Sequence, residues 1–211
     1  MRAHYFYSSV FICLVSIWNI SFAQNADFRK IKVINGPTIE YPAHWKILDD
    51  ATVLNQVHSS QASADAAGIN LDGFIRRNRV VIHSLPIPNK ASVRASIVTP
   101  TQYSQLELSK INRKDLINLK KDYELHFREM SAVSAVRLQH MEELRVESIG
   151  GKLALVIPYI RYTESSSALW HVEQIKVPFE DRMLSLTLSY QISDAGTMKP
   201  ILSRIKSSVK F

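Results

Sequence analysis

The titratable side chains of this chain show no spacing that assembles a catalytic or metal site by itself. Seven histidines are spread over 211 residues, and no two of them have the H-E-x-x-H spacing that holds zinc on one face of a helix. His83 and His171 fall in predicted strands and could meet across a sheet as metal ligands. Two ordinary sheet histidines are the simpler interpretation, so the sequence predicts no metal-binding residue.

Nucleophiles and paired carboxylates are equally unspecific. The chain has no G-x-S-x-G motif, and its many serines and threonines are typical of strands and turns. The adjacent acids Asp49–Asp50 and Glu142–Glu143 stand at or before the start of predicted elements, where capping and solvation explain them. The six glycines include one adjacent pair and form no phosphate-cradling loop. We therefore predict no catalytic residue and no bound cofactor.

Two clusters of basic side chains remain as candidates for a binding site. Lysine and arginine total 26 against 19 acidic residues, a net charge of +7, which favours contact with anionic lipid, cell-wall polymer or an acidic partner. If the clusters converge, they could hold an anionic polymer or lipid headgroups, and a solvated rim is the alternative interpretation. Nucleic acid is not expected, because the basic residues do not interleave with aromatic ones. The candidate residues are Arg76, Arg77 and Arg79 before a predicted strand, and Lys110, Arg113 and Lys114 before a long helix.

The first 23 residues have the order of a secretory signal peptide. Arg2 is followed by an apolar stretch over residues 10–18. Ser21 and Ala23 then place small residues at the two positions that a signal peptidase reads. Cleavage there would release residues 24–211 as a single domain into a bacterial periplasm or the medium.

Two other fates of this leader stay open. Residues 5–23 are just long enough to remain as an uncleaved membrane anchor. Cys13 could be a lipoprotein cysteine, although Ile12 is bulky where that processing needs a small residue. Cys13 is the only cysteine, so the mature domain is expected to have neither a disulfide nor a thiolate metal site.

Apolar patterns along the rest of the chain predict strands and helices. Asn112 and Asp115 form a capping box, and the apolar residues that follow recur every three or four positions, which predicts an amphipathic helix on a core. Apolar spacing also predicts a helix after Asp50 and a final helix over 197–209. The predicted strands span residues 31–34, 38–41, 80–83, 93–97, 144–148, 153–162, 169–177 and 184–192, with a hairpin at Gly150–Gly151.

Two details of these strands test the interpretation. Residues 153–162 are apolar on both faces, which predicts a central strand, but Pro158 cannot donate to a ladder, so we expect a β-bulge there. Residues 184–192 alternate strictly between apolar and polar, so one face should meet the core and the other should meet water or a polar cover.

Tyr41 and Trp45 are most simply core residues, and an exposed aromatic platform is the alternative.

Two stretches of the sequence carry a family resemblance. The first is Ile39-Glu40-Tyr41-Pro42-Ala43-His44-Trp45, an apolar-x-Tyr-Pro-x-x-Trp pattern. The second is the end of the chain, with the Gly150–Gly151 hairpin, the strands around Val172–Ile175 and Leu186–Tyr190, and a helix ending in Ile205–Ser208. Together they resemble the PsbP-like proteins, a superfamily that includes lumenal photosystem subunits, a Ran-binding nuclear-import factor and exported bacterial proteins of the DcrB-like kind.

The resemblance implies an α+β fold, with an antiparallel sheet of about six strands and helices packed on its faces. It brings no shared catalytic residues, and members mostly act in binding or assembly. The expected function is therefore that of an exported, non-enzymatic binding or assembly protein of the cell envelope, whose partner is an envelope protein or an anionic envelope component. The alternative is a small ligand carrier or hydrolase with a cleft between sheet and helices, in which His83 or His171 would meet a carboxylate.

Overall fold

The computed structural model describes residues 27–48, 79–83 and 90–211. The predicted signal peptide, the predicted helix after Asp50, and Arg76 and Arg77 of the first basic cluster lie outside the described residues. Within the described residues, no helix combines the length and the apolar character needed to cross a membrane.

The described residues form ten strands and three α-helices. The helices are α1 (Gln105–Lys110), α2 (Arg113–Val133) and α3 (Ala195–Ser207), the last of which follows a short 3-10 turn at Ile192–Asp194. The strands are β1 (Phe28–Lys32), β2 (Thr38–Pro42), β3 (Lys46–Ile47), β4 (Arg79–His83), β5 (Ala91–Val98), β6 (Val136–Met141), β7 (Arg145–Ile149), β8 (Lys152–Thr163), β9 (Ser166–Phe179) and β10 (Arg182–Gln191).

Eight of the strands form one antiparallel sheet in the order β3-β4-β5-β10-β9-β8-β6, with β7 also pairing β8. The strands β1 and β2 form a separate antiparallel hairpin. This architecture confirms the predicted α+β class. The sheet exceeds the expected six strands partly because residues 136–149 supply two strands, β6 and β7, where the pattern predicted one.

The sheet separates two hydrophobic cores. On one face, α3 and the β1–β2 hairpin cover residues of β5, β9 and β10, and Trp45 and Tyr41 are buried in this core at 4% and 8% exposure. On the other face, α1 and α2 cover β8. The helix α2 uses the predicted stripe, because Leu116, Leu119 and Phe127 pack against that second core. Tyr41 and Trp45 are therefore core residues, as the simpler interpretation predicted.

The structure confirms the predictions that rested on short-range patterns in the sequence. Asn112 caps α2 by accepting from the backbone N–H groups of Lys114 and Asp115, and the Asp115 side chain completes the capping box. Gly150 and Gly151 form the turn between β7 and β8 with φ values of 56° and 77°, a region that favours glycine. Leu184, Leu186, Leu188 and Tyr190 of β10 face the first core, and its serines and threonine alternate with them on the other side of the sheet.

The prediction of a β-bulge at Pro158 is wrong. The register of β8 with β9 runs through Pro158 without a shift. On its other edge, β8 pairs β7 over residues 152–156 and β6 over residues 159–163, so Pro158 stands where β8 changes partner. Its carbonyl accepts there from the Glu142 backbone N–H at 3.0 Å. Because the N and C=O of one strand residue point to the same edge, the missing donor falls in this break and interrupts no ladder.

Candidate anion-binding site

A basic groove lies beside the β1–β2 hairpin, where the end of the chain joins the free edge of β2. The backbone N–H of Thr38 donates to Lys210 O at 2.8 Å, and the N–H of Lys210 donates to Thr38 O at 2.9 Å. One residue pair further along, the Glu40 N–H donates to the Ser208 hydroxyl at 2.8 Å. The segment after α3 thus extends the hairpin, and the groove of about 360 Å³ opens over these three backbone segments.

The turn between β1 and β2 fixes the groove against the main sheet. It is closed by hydrogen bonds from Val33 N to Pro37 O at 2.9 Å and from Gly36 N to Val33 O at 2.8 Å. A Cβ at Gly36 would stand 2.5 Å from the Cδ1 atom of Ile97 on β5, so a side chain there would have to displace the end of the Ile97 side chain. The guanidinium of Arg182 also donates to Asn35 O at 2.9 Å.

The end of the chain is held just as firmly. Val209 is buried at 2% exposure. The ring of Phe211 lies 4.9 Å from that of Phe179, and the ammonium of Lys152 stands 5.4 Å from the Phe211 ring. These contacts pre-organise the segment that carries Lys210, so its position does not depend on a ligand.

The side chains of the groove stand in two cross-strand rows. Lys32 lies opposite Thr38, and Thr38 lies opposite Lys210, which places Thr38 between two lysines. In the neighbouring row, Lys30 lies opposite Glu40. Residues directly opposite each other on neighbouring strands project on the same face, which is why all five contribute to one surface.

The charge of the groove is unbalanced. It is lined by three lysines and a single acid, Glu40. Lys30, Lys32 and Lys210 form no ion pair with any of the described carboxylates, so their charges remain available to a ligand. Ammonium groups that pair with none of the described carboxylates, carried on a fixed backbone, form a surface suited to an anion.

The sequence-predicted basic residues lie elsewhere. Lys110 ends α1, and Arg113 and Lys114 begin α2; all three are exposed and share one helix junction. Arg79 begins β4, which is separated from β8, the strand that α1 contacts, by β5, β10 and β9. Because Arg76 and Arg77 lie outside the described residues, convergence of the two clusters stays a prediction.

His83 and His171 do not meet across the sheet. His83 is on β4 and His171 is on β9, with β5 and β10 between them, a separation of roughly 14 Å at ordinary strand spacing. Burial, together with the positive charge of Arg94, lowers the pKa of His83. Among the described residues, no three histidine, cysteine or acidic side chains come close enough to share a metal ion.

His171 instead meets a carboxylate. Its Nε2 lies 3.2 Å from an oxygen of Glu142, and its ring stacks beside that of Tyr190 at 5.1 Å between centroids. Burial raises the pKa of Tyr190, and the negative charges of Glu142 and Glu173 add to the rise.

Four charged side chains beside this pair form a closed ion-pair network under α3. Arg145 contacts Glu147 and Glu173, each at 2.5 Å, and Lys206 of α3 donates to the same two carboxylates, each at 3.1 Å. Two cations and two anions are thereby neutralised within the network. This arrangement fastens α3 to β7 and β9 and leaves neither carboxylate free for acid–base chemistry.

The opposite face of the sheet carries a lysine that pairs with none of the carboxylates in the described part of the chain. Lys176 of β9 lies across from Ser185 of β10, and its ammonium nitrogen is 2.7 Å from the Ser185 hydroxyl oxygen. Burial lowers the pKa of Lys176. A lysine that loses its proton more easily, next to a hydroxyl, is the arrangement that activates serine in Ser–Lys hydrolases.

Sequence reasoning missed the groove because its lysines are far apart along the chain. Taken separately, Lys32 is typical of a surface position in a strand, and Lys210 is typical of a surface position at a terminus. The alternation of Lys30 and Lys32 around Ile31 was the available signal, since it indicates a strand with one cationic face.

The comparison with solved structures agrees with this architecture. No protein-family model matches the sequence, and a search of curated proteins finds no match. The chain nevertheless has a PsbP-like α+β fold. The solution structure of cyanobacterial PsbP (CyanoP) from Synechocystis sp. PCC 6803 aligns with a TM-score of 0.52 at 13% identity, over 87% of this chain and 92% of that one. The crystal structure of LpqN, involved in cell envelope biogenesis of Mycobacterium tuberculosis, aligns at 0.45 and 13% identity, over 90% and 95%.

Proposed function

We propose that this chain is an exported, non-enzymatic binding protein of the cell envelope whose partner is an anionic envelope component. The observation that carries the proposal is the groove lined by Lys30, Lys32 and Lys210, whose ammonium groups form no ion pair with the described carboxylates. The net charge of +7 attracts such a partner from a distance. The signal-like leader supports the location.

The basic helix junction offers a second contact for a large partner. Lys110, Arg113 and Lys114 are exposed there, and we propose that they engage an anionic polymer or membrane together with the cluster Arg76, Arg77 and Arg79. A partner that spans both surfaces gains from each, because the second contact becomes intramolecular once the first has formed.

Location is tested first. Cells producing the chain with a C-terminal tag are fractionated, and the exported species is analysed by mass spectrometry. The proposal expects a product that begins at Gln24 in the periplasmic or secreted fraction. Retention of residues 1–23 in a membrane fraction would indicate the anchor instead, and an uncleaved product in the cytosol would contradict export.

Binding is tested with purified protein, vesicles containing phosphatidylglycerol, and an anionic cell-wall polymer. Two charge reversals separate the surfaces: Lys30, Lys32 and Lys210 to Glu, and Lys110, Arg113 and Lys114 to Glu. We expect salt-sensitive binding that falls at least tenfold in the groove variant, since exposed charges are screened at high salt. Binding that neither reversal weakens would refute the proposal.

The Ser185–Lys176 pair favours the alternative function, a small hydrolase. In that case the neutral Lys176 amine would take the Ser185 hydroxyl proton while the oxygen attacks an acyl carbon, and the leaving group would depart with that proton. Water would then release the acyl group and restore the serine.

A fluorophosphonate or β-lactone probe distinguishes this function from binding alone. Hydrolase chemistry requires covalent labelling at Ser185 that is lost in both Ser185→Ala and Lys176→Met. Ser96→Ala is the matched control, because Ser96 lies opposite Ser185 on β5. Absence of labelling in the wild-type protein would dismiss the alternative.

A further inference from the structure

We propose that the row Lys32–Thr38–Lys210 is a binding site for a phosphate group, either free or carried by a lipid headgroup. The inference rests on the proposed function and deepens it by naming the ligand chemistry of the groove. It concerns one row of three residues on adjoining backbone segments.

The strand pairing places Lys32 and Lys210 on opposite sides of Thr38. The segments carrying Lys32 and Lys210 flank β2, so their backbones are roughly 10 Å apart at ordinary strand spacing. Each lysine has a flexible four-carbon stem, which lets both ammonium groups reach one anion above Thr38. The Thr38 hydroxyl is then positioned to donate to the same anion.

Charge favours phosphate over a carboxylate. The four ionisable side chains lining the groove, those of three lysines and Glu40, carry a net charge of +2. A phosphate monoester carries between about −1.5 and −2 at neutral pH and presents three strong acceptor oxygens. It therefore neutralises the groove and offers one oxygen to each of the two ammonium groups and to the hydroxyl. A carboxylate supplies half that charge and two oxygens.

Glu40 sets the position of the anion within the groove. Glu40 stands opposite Lys30, in the row next to Thr38. Its negative charge repels an anion from that row and directs it toward Lys32 and Lys210. Removal of this charge by Glu40→Gln should strengthen phosphate binding, a change that a general loss of structure cannot produce.

The first experiment measures phosphate binding to the purified protein by calorimetry and by amide chemical shifts, at constant ionic strength. Inorganic phosphate and a sugar phosphate are compared with acetate. We expect about tenfold weaker binding in Lys32→Gln and in Lys210→Gln, the loss typical of one charge-assisted hydrogen bond. Glu40→Gln should bind about threefold more tightly. Lys121→Gln, which alters an exposed lysine of α2, is the control.

The second arm identifies the source of the phosphate group. Vesicles containing phosphatidic acid, a phosphate monoester, are compared with vesicles of phosphatidylcholine alone. Binding of soluble phosphate assigns a soluble ligand. Retention only on phosphatidic acid, lost in Lys32→Gln and Lys210→Gln, assigns a headgroup. The proposal is overturned if neither arm shows binding, if acetate binds as well as phosphate, or if Lys121→Gln weakens binding as much as the groove variants do.

The proposed envelope function and the phosphate assignment can be refuted separately. If the charge-reversed groove loses envelope binding but phosphate neither binds nor competes, the phosphate assignment falls and the anionic partner stands. If phosphate binds while the chain is never exported, the groove chemistry stands and the envelope function falls.

Discussion

Thr38 and Lys210 exchange two backbone hydrogen bonds, of 2.8 and 2.9 Å, although 172 positions separate them along the chain. This bridge joins the β1–β2 hairpin to the segment that follows α3. It creates the basic groove, because it sets Lys210 across β2 from two lysines of β1. The groove therefore depends on the correct docking of α3, and variants that loosen this docking should weaken both folding and binding.

Ser208 is expected to stabilise this bridge. Its hydroxyl accepts from the Glu40 N–H at 2.8 Å and donates to Ile205 O at 2.7 Å. Ser208→Ala leaves the Glu40 N–H without this partner, so we expect a loss of about 1–2 kcal/mol in the free energy of unfolding. Urea denaturation measures it. Ser207→Ala is the control, because the exposed Ser207 hydroxyl bonds only Arg204 O and its loss should cost little.

Gly150 should tolerate no side chain. A Cβ there would lie 2.8 Å from Val209 O and 3.0 Å from the Phe211 ring, and φ is +56°. Gly151 also has a positive φ, but nothing lies within 4 Å of its Cβ position. We expect Gly151→Ala to cost about 1 kcal/mol from backbone strain alone and Gly150→Ala to cost about 1–2 kcal/mol more, from strain plus displacement of the chain end. Equal losses in thermal unfolding would contradict the predicted contact.

The α2 cap should contribute measurably to stability. Asn112 accepts from two backbone N–H groups of the first turn. Asn112→Ala should lower the free energy of unfolding by about 1 kcal/mol, the usual loss for a helix N-cap. Asn118→Ala changes an exposed position inside the same helix and should be neutral or slightly stabilising. A destabilised Asn118→Ala together with an unaffected Asn112→Ala would show that the cap is not formed.

The ion-pair network should make stability depend on acid pH. Partial burial favours the neutral form of Glu147, but hydrogen bonds from Arg145 and Lys206 and their charges outweigh it, so its pKa lies below the ordinary value of 4.5. Folding therefore favours the ionised carboxylate. This stabilisation is complete above pH 4.5 and is lost as the pH falls through the lower folded pKa.

Glu147→Gln checks the pH prediction. The variant should be less stable than wild type near pH 7, because Arg145 and Lys206 lose one charged partner. The difference between the two proteins should shrink as the pH falls below 4.5. Chemical denaturation at a series of pH values measures it, with Glu129→Gln on the exposed face of α2 as the control. A constant difference across the series would show that Glu147 titrates normally.

Local patterns in the sequence were sufficient for the elements whose signals are short-range. The Asn112 capping box, the α2 stripe and the Gly150–Gly151 hairpin each depend on residues within a few positions, and each is present. The prediction of a β-bulge at Pro158 failed because it depended on contacts between distant segments. Whether a proline breaks a ladder depends on which strand stands beside it, and that neighbour is fixed by pairing between distant segments.

The candidate site was less accessible to sequence reasoning than the fold. Clustering along the chain selected Lys110, Arg113 and Lys114, which lie together at one helix junction. The groove instead collects Lys30, Lys32 and Lys210 from the two ends of the described chain. Charge density along a sequence finds only sites built from one segment.

By itself, the sequence determined the capped helix, the glycine turn and the excess of positive charge. These properties follow from propensity, periodicity and composition, which act over a few residues or over the whole chain. Only the tertiary structure decided that His171 meets Glu142 rather than His83, that Lys176 faces Ser185, and that Lys210 stands beside Thr38. Strand order and register set such contacts, and both result from packing between segments that are distant in sequence.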